Sequence, residues 1–316
     1  MNTNRNMNTN KQKPIDPHAF WSTFGYQKEL VEQNHQAACQ AVDELRVETQ
    51  QRVRTPLRIR YLEDRELPGL GDAQFAWESG HDHHLLICQR DPENLRPHRL
   101  ATVLLRTQLE VEAHDSGKGR IMSLSTRQMR DLVSQFEPLP TRLRSDTEAQ
   151  AWFHNVACAK TMRAFTTFFS LPSQLLLQER LRNRFPVLWP AQFVSLSRIF
   201  LAGTANCDSD GFPRPPRFLE RAMNALTGLQ ALHFDHLLGG VTEFAASRQG
   251  SDGFDLARRL WDHWQAKAPA MGPWDQCAIV DEFARILDLS GHFLWVPDQG
   301  LGGPPNNPPG GTPQLN

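Results

Sequence analysis

Cysteine is scarce in this sequence of 316 residues, and long apolar runs are absent. The five cysteines are scattered, and no two of them have Cys-x-x-Cys spacing. A sparse, odd-numbered set of this kind is typical of reduced thiols in a cytosolic protein. Residues 1–13 lack the apolar segment of a secretory signal, and no run approaches the ~18 apolar residues of a membrane-spanning helix. We therefore expect a cytoplasmic protein that does not enter the membrane.

The sequence also has no excess of either charge, since it contains 34 Lys and Arg and 35 Asp and Glu, which gives a net charge of -1. Proteins that bind nucleic acids usually carry a basic excess or stripe, and polybasic membrane anchors need one. Arginines do gather at 127–144 and 180–184, but acidic or apolar residues interrupt both groups, which favours solvated helix faces. We expect neither a nucleic-acid partner nor a membrane surface as partner.

Intact catalytic signatures are missing as well. The sequence contains no Gly-x-Ser-x-Gly motif, no glycine-rich phosphate loop followed by Lys-Ser or Lys-Thr, and no dinucleotide fingerprint. Apolar residues make up 40% and charged residues 22% of the chain, which is ordinary for a folded protein. Composition predicts a full hydrophobic core but names no function.

Three short segments predict a small β-sheet. Residues 57–62 alternate apolar with basic side chains, as a half-buried strand does, and residues 74–77 and 84–88 are two further strand candidates. Because the connections between these segments are short, we expect the sheet to be antiparallel.

From residue 92 onward the pattern is mostly helical. Asp16-Pro17 predicts the start of a first helix, residues 145–148 form a capping box with Ser145 as the cap, and Gly239-Gly240 predicts a helix end. Helices are predicted at 17–52, 93–115, 126–136, 146–170, 173–184, 190–203, 215–238, 253–267 and 274–288. The expected fold class is α+β and predominantly α-helical: a small antiparallel sheet near the N-terminus, packed on a central helix, is followed by a helical C-terminal part.

A histidine cluster at the entry to the third strand candidate is the first candidate site. His81, His83 and His84 are three of the 12 histidines in the chain, and Asp82 lies among them. In a strand, His81 and His83 face one side and His84 faces the other. The cluster indicates either a zinc or other divalent metal site, or a polar turn that leads into a strand.

Two further pairs have helical spacing. His233 and His236 lie three residues apart, so both can reach one metal ion. Cys158 follows His154 by four residues, which is the spacing of a nucleophile and its base on one helix face. Apolar neighbours surround both pairs, so ordinary packed helices are the alternative in each case.

The order of segments around the central predicted helix carries a resemblance. A strand at 83–88 leads into a helix with Glu112-Ala113 near its end, and then come Gly117-Lys118-Gly119-Arg120 and, at 185–193, Phe-Pro-Val-Leu-Trp-Pro-Ala-Gln-Phe. This order resembles bacterial zincin-type metallopeptidase-like proteins, in which a strand leads through a polar link into a helix bearing His-Glu-Leu-x-His. The resemblance covers residues 57–200.

The resemblance also implies that the metal-binding motif is lost here. Counted back from Glu112, the five motif positions fall on residues 102–106, with Thr102 first, Val103 second and Arg106 fifth. Zinc hydrolysis needs imidazoles at the first and fifth positions and a glutamate general base at the second. Arginine stays protonated and repels a cation, and valine has no proton chemistry. Thr102, Val103, Arg106 and Glu112 are then relict positions of a catalytically inactive relative.

Composition and helical pattern, together with the resemblance, indicate an organisation in four parts. Residues 1–14 are expected to be disordered, residues 15–200 to form a zincin-like α+β domain, and residues 201–296 to form a helical C-terminal subdomain. Residues 297–316 are rich in Gly and Pro and are expected to be a disordered tail.

Three functional hypotheses follow. The first is a non-catalytic pseudo-metallopeptidase with a binding or regulatory role, which holds a protein or peptide in its relict cleft; it predicts no cofactor and no enzymatic activity. The second is an active zinc-dependent hydrolase in which His81, His83, His84 and His98 replace the lost ligands. The third is a helical interaction adaptor unrelated to zincins, whose helix at 93–115 does not lie against the sheet. The sequence specifies neither the physiological partner nor the oligomeric state.

Overall fold

The structure is a computed structural model that describes residues 17–62, 72–89, 94–207, 212–272 and 275–297. The fold is α+β and mainly helical, as expected. Its helices are α1 (Pro17–Gln33), α2 (His35–Val53), α3 (Ala76–Ser79), α4 (Arg96–Asp115), α5 (Thr126–Val133), α6 (Thr147–Arg184), α7 (Trp189–Cys207), α8 (Arg217–Leu237), α9 (Phe254–Lys267) and α10 (Gln276–Leu287). Its strands are β1 (Leu57–Leu62), β2 (Asp72–Gln74), β3 (His84–Gln89), β4 (Arg120–Ser123) and β5 (Leu294–Pro297).

The sheet near the N-terminus is mixed, and the expectation of an antiparallel sheet was wrong. Its strand order is β1-β3-β2, with β1 parallel to β3 and β2 antiparallel to β3. The prediction assumed that consecutive strands are neighbours. The chain between β1 and β3 is in fact long enough for the crossover that a parallel pair requires. Strands β1 and β3 can therefore be neighbours, and β2 pairs with the other edge of β3.

The second strand candidate was also partly wrong. Strand β2 ends at Gln74, and the residues that follow turn into the short helix α3. Glu78 accepts a hydrogen bond from the backbone N–H of Phe75 at 3.3 Å, which satisfies a donor at the start of that helix. The chain therefore leaves the sheet before Trp77.

A second, two-stranded sheet joins distant parts of the chain. β4 and β5 pair antiparallel, with Ile121 opposite Val296. No strand was expected at either place, and Pro297, the first residue of the expected tail, belongs to β5. The expectations for residues 1–14 and 298–316 lie outside the described residues.

Several helix boundaries differ from the predicted ones. One residue, Asn34, separates α1 from α2, where one helix was expected. Helix α6 is continuous through Pro172, where two helices were expected. An interior proline costs a helix about 3 kcal/mol or more, but Phe168, Leu171 and Leu175 bury a long apolar face around it. That packing outweighs the local preference of the sequence.

The helix caps follow the sequence with one correction. Asp146, not Ser145, caps α6, since its Oδ1 accepts the backbone N–H groups of Glu148 and Ala149 at 2.9 and 3.1 Å. Helix α1 begins at Pro17 and α8 ends just before Gly239-Gly240, as predicted. Both glycines have the positive φ that favours glycine after a helix.

Helix α4 is the centre of the fold. It packs against α2, α6, β2 and β3, and most of its side chains are buried. The largest apolar core contains side chains from α2, β3, α4, α6, α8, α9 and α10. Residues on both sides of the proposed domain boundary at residue 200 therefore share one core. Among the described helices, none has the length and apolar character to cross a membrane.

Candidate functional site

The relict positions lie on α4, which follows β3 in the chain and rests on the sheet. Val103 is buried in the core, and Thr102 is buried with its Oγ1 donating to the carbonyl of His98 at 2.9 Å. Glu112 is exposed and does not line the cleft described below. Of these four residues, only Arg106 combines partial exposure with a place in the cleft.

Arg106 links the central helix to the edge of the sheet. Its Nε donates to Glu110 Oε1 at 2.5 Å, and its Nη1 donates to Asp72 Oδ1 of β2 at 3.3 Å. Burial by itself lowers the pKa of Arg106, but the attraction of Glu110 and Asp72 outweighs it and raises the pKa above its usual value. The guanidinium is therefore always charged and fixed by two carboxylates.

A cleft of about 320 Å³ opens beside Arg106. It lies among α3, α4, β4, α6 and α10, and Phe75, Trp77, Phe169 and Ile121 supply apolar wall. The facing side of α6 supplies hydroxyl and amide groups. The charged lining consists of Glu78, Arg106, Glu110, Lys118 and Arg120.

Stacked rings support the wall of this cleft. Trp77 stacks on Phe75 at 4.4 Å between ring centroids and on His114 at 4.0 Å. His84 meets Phe75 and Trp77 edge-on at 5.4 and 5.1 Å. The cleft wall is thus a rigid aromatic stack.

His84 has a packing role in this stack. Its Nδ1 accepts the backbone N–H of Ala76 at 3.0 Å, and its Nε2 is buried without a partner among the described residues. Burial lowers the pKa of His84, so the ring is neutral at pH 7. Its Nδ1 lone pair is occupied by the start of α3.

His81 and His83 lie together, but in the turn before β3 rather than in the strand, so strand alternation does not apply to them. Their ring centroids are 5.5 Å apart and nearly parallel, and His83 Nδ1 donates to Asp82 Oδ1 at 2.7 Å. His81 and Asp82 are exposed. This part of the cluster is a polar surface turn.

His98 is held in a different place, between α4 and α6. It is fully buried, and its Nε2 lies 3.3 Å from Gln178 Oε1. Burial lowers the pKa of His98 to about 4. In the part of the chain that the structure describes, no three His, Cys, Asp or Glu side chains form a group that can hold a metal ion. The four histidines of the hydrolase hypothesis are therefore not gathered into such a group.

The two helical pairs also have definite surroundings. Cys158 Sγ lies 3.5 Å from His154 Nε2 on α6, as the spacing predicts. His233 is buried and bonds to Glu179 at 3.2 Å, whereas His236 is exposed. Glu179 was not among the predicted site residues, because it lies 54 positions from His233 and no local motif connects the two residues.

No protein-family model, no curated protein and no solved structure matches this chain.

Proposed function

We propose that this protein is a non-catalytic, zincin-like protein that binds a peptide segment of a partner protein in the cleft beside Arg106. The observation that carries the proposal is the position of Arg106. The residue stands where the resemblance requires the second zinc-binding histidine, and it lines an open cleft with its charge fixed by Glu110 and Asp72.

The chemistry at the relict positions favours binding over hydrolysis. A guanidinium has no lone pair to give a metal ion, and Val103 cannot accept a proton. The hydroxyl of Thr102 is buried and already donates to His98. The proposal therefore includes no cofactor and no enzymatic step, and it places the protein in the cytoplasm.

The position of α4 also favours this proposal over the adaptor hypothesis. The adaptor hypothesis expects the helix at 93–115 to lie away from the sheet, but α4 contacts β2 and β3. A strand that leads into a helix resting on the sheet is the arrangement that the resemblance implies.

The lining of the cleft suits a peptide that carries a carboxylate. Its aromatic and hydroxyl walls offer apolar contact and hydrogen bonds to an extended chain. Arg106 already has carboxylate partners, whereas Arg120 makes no ion pair within the described residues. An acidic side chain in the ligand is expected to lie against Arg120.

A peptide selection tests this proposal. Random 12-residue peptides displayed on phage are selected on the full-length protein, and the enriched peptides are titrated by fluorescence anisotropy. Gln174→Trp, at an exposed position of the cleft wall, is expected to weaken binding at least about tenfold because the indole fills the cleft. Arg120→Ala is expected to weaken binding several-fold and to reduce its salt dependence.

The matched control is Gln40→Trp on α2. Gln40, like Gln174, is exposed and bonds a side chain four residues away, but it lies outside the cleft. Equal binding to the wild type and to Gln174→Trp would contradict the proposal.

Metal content per chain tests the hydrolase alternative. It is measured in protein purified without a metal-binding tag, before and after incubation with zinc. We expect a value near zero and no cleavage of the selected peptides. A stoichiometric metal that is lost in a folded His98→Ala variant would overturn the proposal and favour the hydrolase.

A further inference from the structure

A second pocket, of about 430 Å³, lies among α6, α8 and α9. It shares no lining residue with the cleft beside Arg106. Its wall includes Glu179 and Arg182 of α6, His236 of α8, and Trp261 and Trp264 of α9.

Two buried donors fix the Glu179 carboxylate at this pocket. His233 Nε2 donates to Glu179 Oε1 at 3.2 Å, and Trp264 Nε1 donates to the same oxygen at 2.9 Å. His233 and Trp264 are 0% and 1% exposed, so neither ring can turn away without breaking the surrounding packing. Glu179 is thus oriented in advance of any ligand.

The carboxylate is ionised, whereas its histidine partner is neutral. Burial lowers the pKa of His233 more than Glu179 raises it. Burial raises the pKa of Glu179, but the hydrogen bonds from His233 and Trp264 outweigh it and hold the pKa below its usual value. The His233 proton therefore resides on Nε2, and the pair carries one net negative charge.

Both buried donors bind the same oxygen of the Glu179 carboxylate. Glu179 Oε2 accepts no hydrogen bond within the described part of the chain, and the side chain is 27% exposed. No lysine or arginine of the described ranges forms an ion pair with it. The guanidinium of Arg182 lies over the ring of Trp189 instead, 4.7 Å from the centroid. The Oε2 atom of this ionised carboxylate is therefore available to a cation or a donor of a ligand.

Aromatic rings flank this carboxylate. The centroids of Trp261 and His236 are 5.4 Å apart, with the rings tilted by 60°. Trp261 is partly exposed, and Trp264 lies beside the carboxylate that it donates to. Aromatic rings next to a carboxylate attract organic cations, since the ring quadrupole and the charge act together.

We propose that this pocket binds an organic cation that carries N–H donors, namely an alkylguanidinium or alkylammonium group. The donors bond to Glu179 Oε2, and the alkyl part packs on Trp261. The group comes either from an arginine or lysine side chain of a protein or from a free polyamine, because both sources present the same chemistry.

The indole N–H signals of the full chain in two-dimensional NMR provide the test. n-Butylguanidinium stands for an arginine side chain, spermidine for a free polyamine, and n-butanol is the uncharged control, all at constant ionic strength. We expect saturable shifts of the Trp261 and Trp264 signals with one or both cations and none with n-butanol. The cation that binds more tightly indicates the source.

Glu179→Gln is the decisive variant, because its Oε1 can still accept from His233 and Trp264 while the charge is lost. We expect binding to weaken at least about tenfold. Asp262→Asn, the same change at an exposed position of α9, is expected to leave binding unchanged. Trp261→Leu, at a partly exposed position, is expected to weaken binding also and serves if Glu179→Gln fails to fold.

Three results would overturn the inference. They are no saturable shift with either cation, equal shifts with n-butanol, and binding to a folded Glu179→Gln variant as tight as to the wild type.

Discussion

Two consecutive residues of α6 form hydrogen bonds with two different buried histidines. Gln178 bonds to His98 of α4, and Glu179 bonds to His233 of α8. Both imidazoles are 0% exposed, and both have an Nδ1 without a partner among the described residues. We call the contact of α6 with α4 at Gln178 and His98, and that of α6 with α8 at Glu179 and His233, the two seams of α6. They differ chiefly in that one histidine bonds to an amide and the other bonds to a carboxylate.

The partner decides what each seam can do. The Gln178 amide oxygen also accepts from Gln192 Nε2 at 2.9 Å, and all three side chains of this network are buried in the core. The Glu179 carboxylate accepts both buried donors on Oε1, and Glu179 also lines the second pocket, where Oε2 is available to a ligand. The neutral, buried network at His98 stabilises the packing of the helices that it joins. The charged group at Glu179 can in addition bind a ligand, because it lines a pocket.

The largest expected effect distinguishes the two roles of Glu179, which are to accept hydrogen bonds from buried donors and to carry a negative charge. Glu179→Ala leaves the buried donors of His233 and Trp264 without an acceptor, which should lower the free energy of unfolding by about 4 kcal/mol, at about 2 kcal/mol for each donor. Glu179→Gln keeps the acceptor and should cost less than about 1 kcal/mol. Urea denaturation followed by circular dichroism measures both values. Equal losses in the two variants would mean that the hydrogen bonds to Oε1 contribute nothing.

The pH dependence of stability tests the contact between His98 and Gln178. Folded His98 has a pKa of about 4, whereas the unfolded chain has the ordinary value of about 6.5. Between these values the unfolded state binds more protons, so its share of the population grows as the pH falls. We expect the wild type to lose on the order of 3 kcal/mol between pH 6.5 and pH 4 from this residue alone. The loss from His98 ends below about pH 4, where the folded state is protonated too.

His98→Gln removes this titration and can still donate to Gln178. Urea denaturation at several pH values should therefore show a shallower fall in stability for this variant than for the wild type. His154→Gln, the same change at an exposed position, should keep the wild-type slope. An unchanged slope in His98→Gln would show that His98 is not the residue that titrates.

The smallest expected effect comes from making the two seams alike. Gln178→Glu places a carboxylate beside His98, which should raise the pKa of His98 because the protonated ring gains an opposite charge. The fall in stability toward pH 4 should then become less steep, by about 1 kcal/mol over the interval. NMR titration of the imidazole C–H signals measures the shift directly. A lower pKa in this variant would refute the view that the partner sets the difference between the seams.

Local patterns in the sequence predicted most of the helices, but they missed α3, β4 and β5 and did not show which strands are neighbours. The apolar residues between Leu100 and Ala113 predict α4 because helical periodicity is a local property of the chain. The parallel pairing of β1 with β3 depends on a crossover, which no local pattern encodes. Strands β4 and β5 were missed together with their pairing of Ile121 opposite Val296, because each is short and pairs with a distant part of the chain.

The residues that distinguish the two seams were beyond sequence reasoning. Helix α6 is apolar on more than one face around Leu175, Leu177 and Leu181, so its periodicity does not show where Gln178 and Glu179 point. The spacing of His233 and His236 indicated that both could bind one metal ion. In the structure, however, His233 is buried and His236 is exposed, which the spacing does not predict. The donor and acceptor pairs at both seams form only when distant helices pack.

The pairing of β4 with β5 has a consequence for the order of events during synthesis. The chain is made from its N-terminus, so Arg120–Ser123 leaves the ribosome long before Leu294–Pro297. Until β5 arrives, β4 exposes unpaired backbone groups, and the Ile121 wall of the cleft has no strand behind it. The cleft is therefore completed only when nearly all described residues have been made, and a nascent chain halted before β5 should not bind the cleft's ligand.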